Sequence, residues 1–65
     1  MEVQKIIQKF GKQEAVAAIA GVGQSAVSEW VRNETIPHKR QARLLKEAKR
    51  LNIDLQASDF FDDLD

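Results

Sequence analysis

The chain has 65 residues, enough for one small domain with a single core. With 43% hydrophobic and 31% charged residues, it is too apolar for a disordered protein and too polar for a membrane protein. It has no cysteine and one histidine, which excludes disulfides, thiolate zinc sites and histidine metal sites. We expect no leader sequence, and the longest uncharged run, from Ala15 until Glu29, is too short to cross a bilayer. We therefore expect a small cytoplasmic domain.

Charge is distributed unevenly along the chain, although the total is zero. Residues 1–50 contain all ten Lys and Arg with five Glu, a net charge of +5, whereas residues 51–65 contain five Asp and no basic residue. Such asymmetry is typical of a basic binding surface followed by an acidic segment. The alternative is that the charges only solvate exposed helix faces, and the totals do not separate the two.

Hydrophobic residues at helical spacing predict three short helices in the first half of the chain. These helices span about residues 3–10, 12–20 and 24–32. Gly11 and Gly21 follow the first two helices, where glycine favours the left-handed conformation that ends a helix. The third helix is predicted to turn its apolar side inward, with Val27, Trp30 and Val31.

The second half of the chain predicts one longer helix and a short last one. Pro37 suits the first turn of a helix that reaches about Leu51, because its missing N–H costs nothing there. The predicted buried stripe of this helix is Leu44, Leu45, Ala48 and Leu51. Ser58 is the predicted N-cap of a last turn containing Phe60 and Phe61. Strand signals are almost absent, so the predicted fold is all-α, a compact bundle of about five short helices.

Residues 13–32 meet the packing requirements of a helix-turn-helix motif, in which two short helices are joined by a tight turn. Ala17 is small where the two helices cross, and Gly21 lies at the turn, where a positive φ favours glycine. Apolar residues occupy the five positions that face the other helix or the core: Val16, Ala20, Val22, Val27 and Trp30. An ordinary helix pair in a small bundle is the alternative.

Three landmarks surround this motif: Phe10-Gly11, the segment QSAVSEW at residues 24–30, and Ile36-Pro37. With them, the chain resembles the phage Cro and repressor proteins over about residues 3–50, particularly Cro and the related YdaS-type regulators. The resemblance implies a lambda-repressor-like DNA-binding domain. Gly23 departs from the family, which often has Ser or Thr as the N-cap there. Residues 51–65 look helical, unlike the C-terminal β-hairpin of some Cro proteins, so we expect the all-α branch.

The resemblance implies a single DNA-binding domain over residues 1–65, acting as a transcriptional repressor on a palindromic operator. In such proteins the second helix of the motif enters the major groove. The residues this implies for base reading are Gln24, Ser25, Ser28, Glu29 and Arg32. Gln24 suits a bidentate pair with adenine. Arg32 stays open between guanine and phosphate, with phosphate slightly favoured, and Glu29 stays open between cytosine N4 and a surface role.

The residues that the resemblance implies for phosphate contacts are Gln13, Lys39, Arg40 and Arg43. Gln13 matches the family's phosphate-binding glutamine, and the basic residues resemble its flanking backbone contacts. We expect a weak homodimer, because one small domain covers only a half-site. The apolar residues left for its interface are Ile53, Leu55, Phe60, Phe61 and Leu64. The acidic segment 51–65 is expected to lie away from the DNA.

A second class of function stays open: a small protein-interaction module, similar to an antitoxin or adaptor, that uses the acidic, Phe-rich end of the chain. An enzyme is not expected, since the sequence has no convergent Ser, His and Asp set and little room for a pocket. We likewise expect no cofactor, no metal, no small-molecule substrate and no membrane contact.

Overall fold

The computed structural model describes residues 1–61, which form four α-helices and one 3₁₀ turn. The α-helices are α1 (Val3–Phe10), α2 (Gln13–Ala20), α3 (Gln24–Asn33) and α4 (His38–Arg50), and the 3₁₀ turn spans Ala57–Phe60. No strand occurs within residues 1–61, which confirms the predicted all-α class. The predicted number of about five helices is slightly wrong, because the last element is a single 3₁₀ turn. No helix of this range is long and apolar enough to span a membrane.

The turn between α2 and α3 is fixed by the way α2 ends. Gly21 has a φ of 76°, in the left-handed region that glycine adopts without strain. The N–H groups of Gly21 and Val22 both donate to the Ala17 carbonyl, at 2.9 and 3.0 Å, which closes the end of the helix. Gly23 then serves as the N-cap of α3 without a side-chain hydrogen bond. The two helices are therefore joined by only three residues.

The four α-helices and the 3₁₀ turn pack around one apolar core. Its largest fully buried side chains are Ile6, Ile36, Leu44, Val3, Val16 and Val27. Trp30 is 7% exposed, as the helical spacing predicted, and Phe60 of the 3₁₀ turn belongs to the same cluster. Within residues 1–61 the core contains no buried polar or charged side chain. Burial of Val27 and Trp30 therefore turns the apolar side of α3 toward the core.

Two predictions about the second half of the chain are wrong. Leu51 is 42% exposed, because α4 ends at Arg50 and the chain turns away through Asn52, whose φ is 59°. Ser58 is not the N-cap of the last turn. That position belongs to Gln56, whose backbone N–H donates to the Asp59 carboxylate at 2.8 Å. The last turn therefore starts two residues earlier than predicted.

Candidate nucleic-acid interface

One side of α3 is polar and faces solvent. Successive residues of an α-helix are rotated by about 100°, so the five residues predicted for base reading share an arc of about 140°. All five are exposed: Gln24, Ser25, Ser28, Glu29 and Arg32. Val27 and Trp30, outside this arc, are buried in the core. The structure thus brings the predicted base-reading residues together on one exposed face, which we call the α3 face.

The start of α2 adjoins the α3 face. Gln13, the first residue of α2, is half-buried, and its Oε1 accepts a hydrogen bond from the Ser28 hydroxyl at 3.1 Å. Lys12 is the N-cap residue of α2, and its side chain makes no hydrogen bond to the first backbone N–H groups of the helix. Sequence reasoning predicted Gln13 and Ser28 as site residues with separate roles and missed the contact between them.

Two arginines of α4 bond to the end of α2. Arg43 Nε donates to the Ile19 carbonyl at 2.8 Å, and Arg40 Nη1 donates to the Ala20 carbonyl at 3.4 Å. The last carbonyls of a helix lack partners within the helix and carry partial negative charge, so cationic donors stabilise them. A Cβ at Gly21 would lie 3.9 Å from the Arg43 guanidinium, which places that group against the turn. These two arginines therefore join the helix-turn-helix to α4.

Lys39 has no comparable role inside the protein. It is exposed, and no hydrogen bond or ion pair of its ammonium group occurs within residues 1–61. Glu29 and Arg32, which lie three residues apart on α3, do not form an ion pair with each other in the part of the chain that the structure describes. All three charged groups are thus available to an external partner.

A shallow apolar groove lies between α4 and the 3₁₀ turn. It has a volume of about 170 Å³ and is lined by His38, Gln41, Ala42, Leu45, Ala57, Phe60 and Phe61. Of the residues predicted for a dimer interface, Phe60 is buried in the core, and Ile53 and Leu55 are half-buried. Phe61 is 45% exposed, whereas Leu64 lies outside the described residues. Phe61 is therefore the main apolar side chain that this surface offers to a partner.

The part of the chain that holds the helix-turn-helix and the α3 face matches a known family. A family model described as the DNA-binding transcriptional regulator Cro (P22 Cro) matches residues 2–46. This range contains α1, α2, α3, most of α4 and every residue predicted for base or phosphate contact. Comparisons with curated proteins and with solved structures gave no match. Since the family model covers more than half of the 65 residues, the chain belongs to the P22 Cro family of DNA-binding transcriptional regulators.

Proposed function

We propose that the protein is a Cro-type repressor that binds a palindromic operator in double-stranded DNA, with α3 as its recognition helix. The observation that carries this proposal is the exposed polar α3 face, held outward by the burial of Val27 and Trp30. The major groove of B-DNA is about 12 Å wide and admits an α-helix. A bacterial host cytoplasm, where the operator lies, is the compartment in which such a repressor acts.

The α3 face supplies the base contacts in this proposal. Gln24 leads the helix, and its carboxamide pairs with N6 and N7 of adenine. Ser25 and Ser28 follow on the same face as small donors and acceptors. Glu29 accepts from cytosine N4, and Arg32, one turn beyond Ser28, meets a phosphate or a guanine. Each of these side chains is exposed in the free protein and needs no rearrangement of the core to reach DNA.

Residues at the edges of the motif hold the phosphates. Gln13 offers its Nε2 group, since its Oε1 is bonded to Ser28. Lys39 offers an ammonium group that has no partner within residues 1–61. Arg40 and Arg43 each donate one hydrogen bond to a carbonyl at the end of α2. Because a guanidinium has five N–H donors, other donors remain for phosphate.

A palindromic operator requires two copies of the chain, with recognition helices about 34 Å apart. We propose that the copies meet through Phe61 and the groove beside it. Stable interfaces bury at least about 1,200 Å² in total. Phe61 and Leu51 are the exposed large hydrophobic side chains within residues 1–61, so the apolar contact surface is small. The homodimer is therefore weak in solution and is completed on the operator.

Replacing Phe61 by serine should weaken operator binding about tenfold or more, because each copy loses the burial of one aromatic ring. Binding to a single half-site should stay at the wild-type level, since Phe61 lies outside the α3 face. Leu51→Ser is the matched control: Leu51 is 42% exposed but does not line the groove. Gel shifts with one and two half-sites, together with sedimentation velocity, measure both effects. Equal losses for the two variants would place the dimer contact elsewhere.

Base reading and phosphate contact are separated by comparing Gln24→Ala with Lys39→Ala. Loss of a bidentate base contact costs about 1–3 kcal/mol at the matched base pair. Gln24→Ala should therefore flatten the preference at one symmetric operator position and leave the salt dependence nearly unchanged. Loss of a phosphate contact lowers the slope of log affinity against log salt by about one per contact. Lys39→Ala should reduce the salt slope and weaken all sequences about equally.

Selection of bound sites from a random duplex pool, followed by salt titrations, measures both properties. If Gln24→Ala lowers the affinity for operator and for random DNA by the same factor, the assignment of α3 as the recognition helix is contradicted. In that case the alternative of a protein-interaction module, with Phe61 and its groove as the contact surface, would be favoured.

A further inference from the structure

We infer that Gln13 is a positioning residue that fixes the Ser28 hydroxyl as a hydrogen-bond acceptor, so that Ser28 selects bases that present a donor in the major groove. The inference rests on the proposed function, because it concerns the bases that α3 reads. It starts from one contact: the Ser28 hydroxyl donates to Gln13 Oε1 at 3.1 Å, across 15 residues of sequence. Ser28 is exposed on the α3 face, and Gln13 begins α2 beside it.

The phosphate determines which way the Gln13 carboxamide is turned. A carboxamide has one acceptor oxygen and one NH₂ donor group, whereas the oxygens of a phosphodiester only accept. A Gln13 side chain that contacts a phosphate must therefore present Nε2 to it and turn Oε1 the other way. In the free protein Oε1 already faces Ser28. The carboxamide thus meets DNA without having to rotate.

The carboxamide in turn determines the direction of the Ser28 hydroxyl. A serine hydroxyl has one proton to donate and two lone pairs that accept. Because the proton of Ser28 is bonded to Gln13 Oε1, only lone pairs are left to face a base. A serine without such a partner rotates its O–H group to suit a donor or an acceptor. The contact with Gln13 therefore converts a permissive residue into a selective one.

The major groove offers this acceptor two kinds of donor. Adenine N6 and cytosine N4 donate, whereas guanine N7 and O6 and thymine O4 accept. At the position that Ser28 faces, adenine or cytosine should be preferred over guanine or thymine on the DNA strand nearer to α3. A single neutral hydrogen bond corresponds to a preference of roughly two- to tenfold. This preference should appear once in each half-site.

Two substitutions at Gln13 separate the orientation of Ser28 from the contact with phosphate. Gln13→Glu keeps an acceptor for the Ser28 hydroxyl but repels phosphate, so all sequences should bind more weakly while the preference at the Ser28 position is retained. Gln13→Lys offers phosphate a cationic donor but offers the Ser28 hydroxyl no acceptor, so the base preference at the Ser28 position should fall toward one, whatever the change in overall affinity. Ser28→Ala should remove the same base preference. In the double variant, Gln13→Lys should cause no further change in the preference at that position.

These predictions are tested by competition binding of the full chain to operators that carry each of the four base pairs at every position. Ser25→Ala is the matched control, since Ser25 is an exposed serine of the same face and has no hydrogen bond to Gln13. Ser25→Ala should change the base preference at a different operator position. Gln13→Lys should still remove the preference at the Ser28 position when it is combined with Ser25→Ala. Thermal melts followed by circular dichroism establish that each variant is folded.

If Gln13→Lys keeps the wild-type preference at every position, Gln13 does not orient Ser28, and the inference is wrong even though operator binding stands. A wild-type protein that binds all duplexes equally would instead contradict the proposed function itself. The two failures are therefore distinguishable in the same experiment.

Discussion

Replacing Trp30 by alanine should lower the free energy of unfolding by about 3–5 kcal/mol. Trp30 is 7% exposed and belongs to the core cluster, so truncation removes a large buried surface and leaves a cavity. Native domains are stable by only about 5–15 kcal/mol, and small ones lie near the lower end of this range. The variant should therefore be close to unfolded at room temperature. Urea denaturation followed by circular dichroism measures the change.

Leu51→Ala is the control for this experiment, because Leu51 is a large apolar residue that is 42% exposed. Its unfolding midpoint should change little, since most surface substitutions change stability by less than about 0.5 kcal/mol. A Trp30→Ala variant with the wild-type midpoint would contradict the packing of α3 against the core. The outward direction of the α3 face would then lose its structural basis.

Replacing Phe60 by alanine should also cost about 3–5 kcal/mol, although Phe60 lies beyond the range of the family match. Phe60 is 3% exposed and packs in the same core cluster as Trp30 and Leu44. The 3₁₀ turn is therefore a structural part of the domain. The neighbouring Phe61, 45% exposed, provides the control Phe61→Ala, which should leave the stability of the monomer nearly unchanged. Thermal unfolding at low protein concentration compares the two variants, and equal melting temperatures would contradict this packing.

Helix ends in the first half of the chain were predictable because they depend on single residues. Gly11 and Gly21 both have positive φ values, and a helix that reaches such a glycine ends there. Burial of Trp30 followed from the helical period once those ends were known. The end of α4 has no such marker. The apolar spacing continues to Leu51, but the chain leaves the helix after Arg50, so the pattern alone extended the buried stripe one residue too far.

The α3 face was predictable to the same extent, because the burial of Val27 and Trp30 determines which residues of the helix point outward. The side-chain hydrogen bonds that join one helix to another were not predictable. Arg43 reaches the Ile19 carbonyl across 24 residues of sequence, and the Gln13–Ser28 bond spans 15. Both depend on how the helices cross and on side-chain rotamers, which hydrophobic periodicity does not encode.

The core of residues 1–61 contains no buried polar or charged side chain, and every side chain of the α3 face is exposed. Stability and the proposed operator preference therefore depend on different residues, and we expect mutations at Gln24 or Arg32 to change the preferred DNA sequence at little cost in folding. Evolution can thus explore binding specificity almost independently of foldability. Position 28 is the exception, since its replacement leaves Gln13 without its partner. Among descendants of this sequence, positions 13 and 28 should covary.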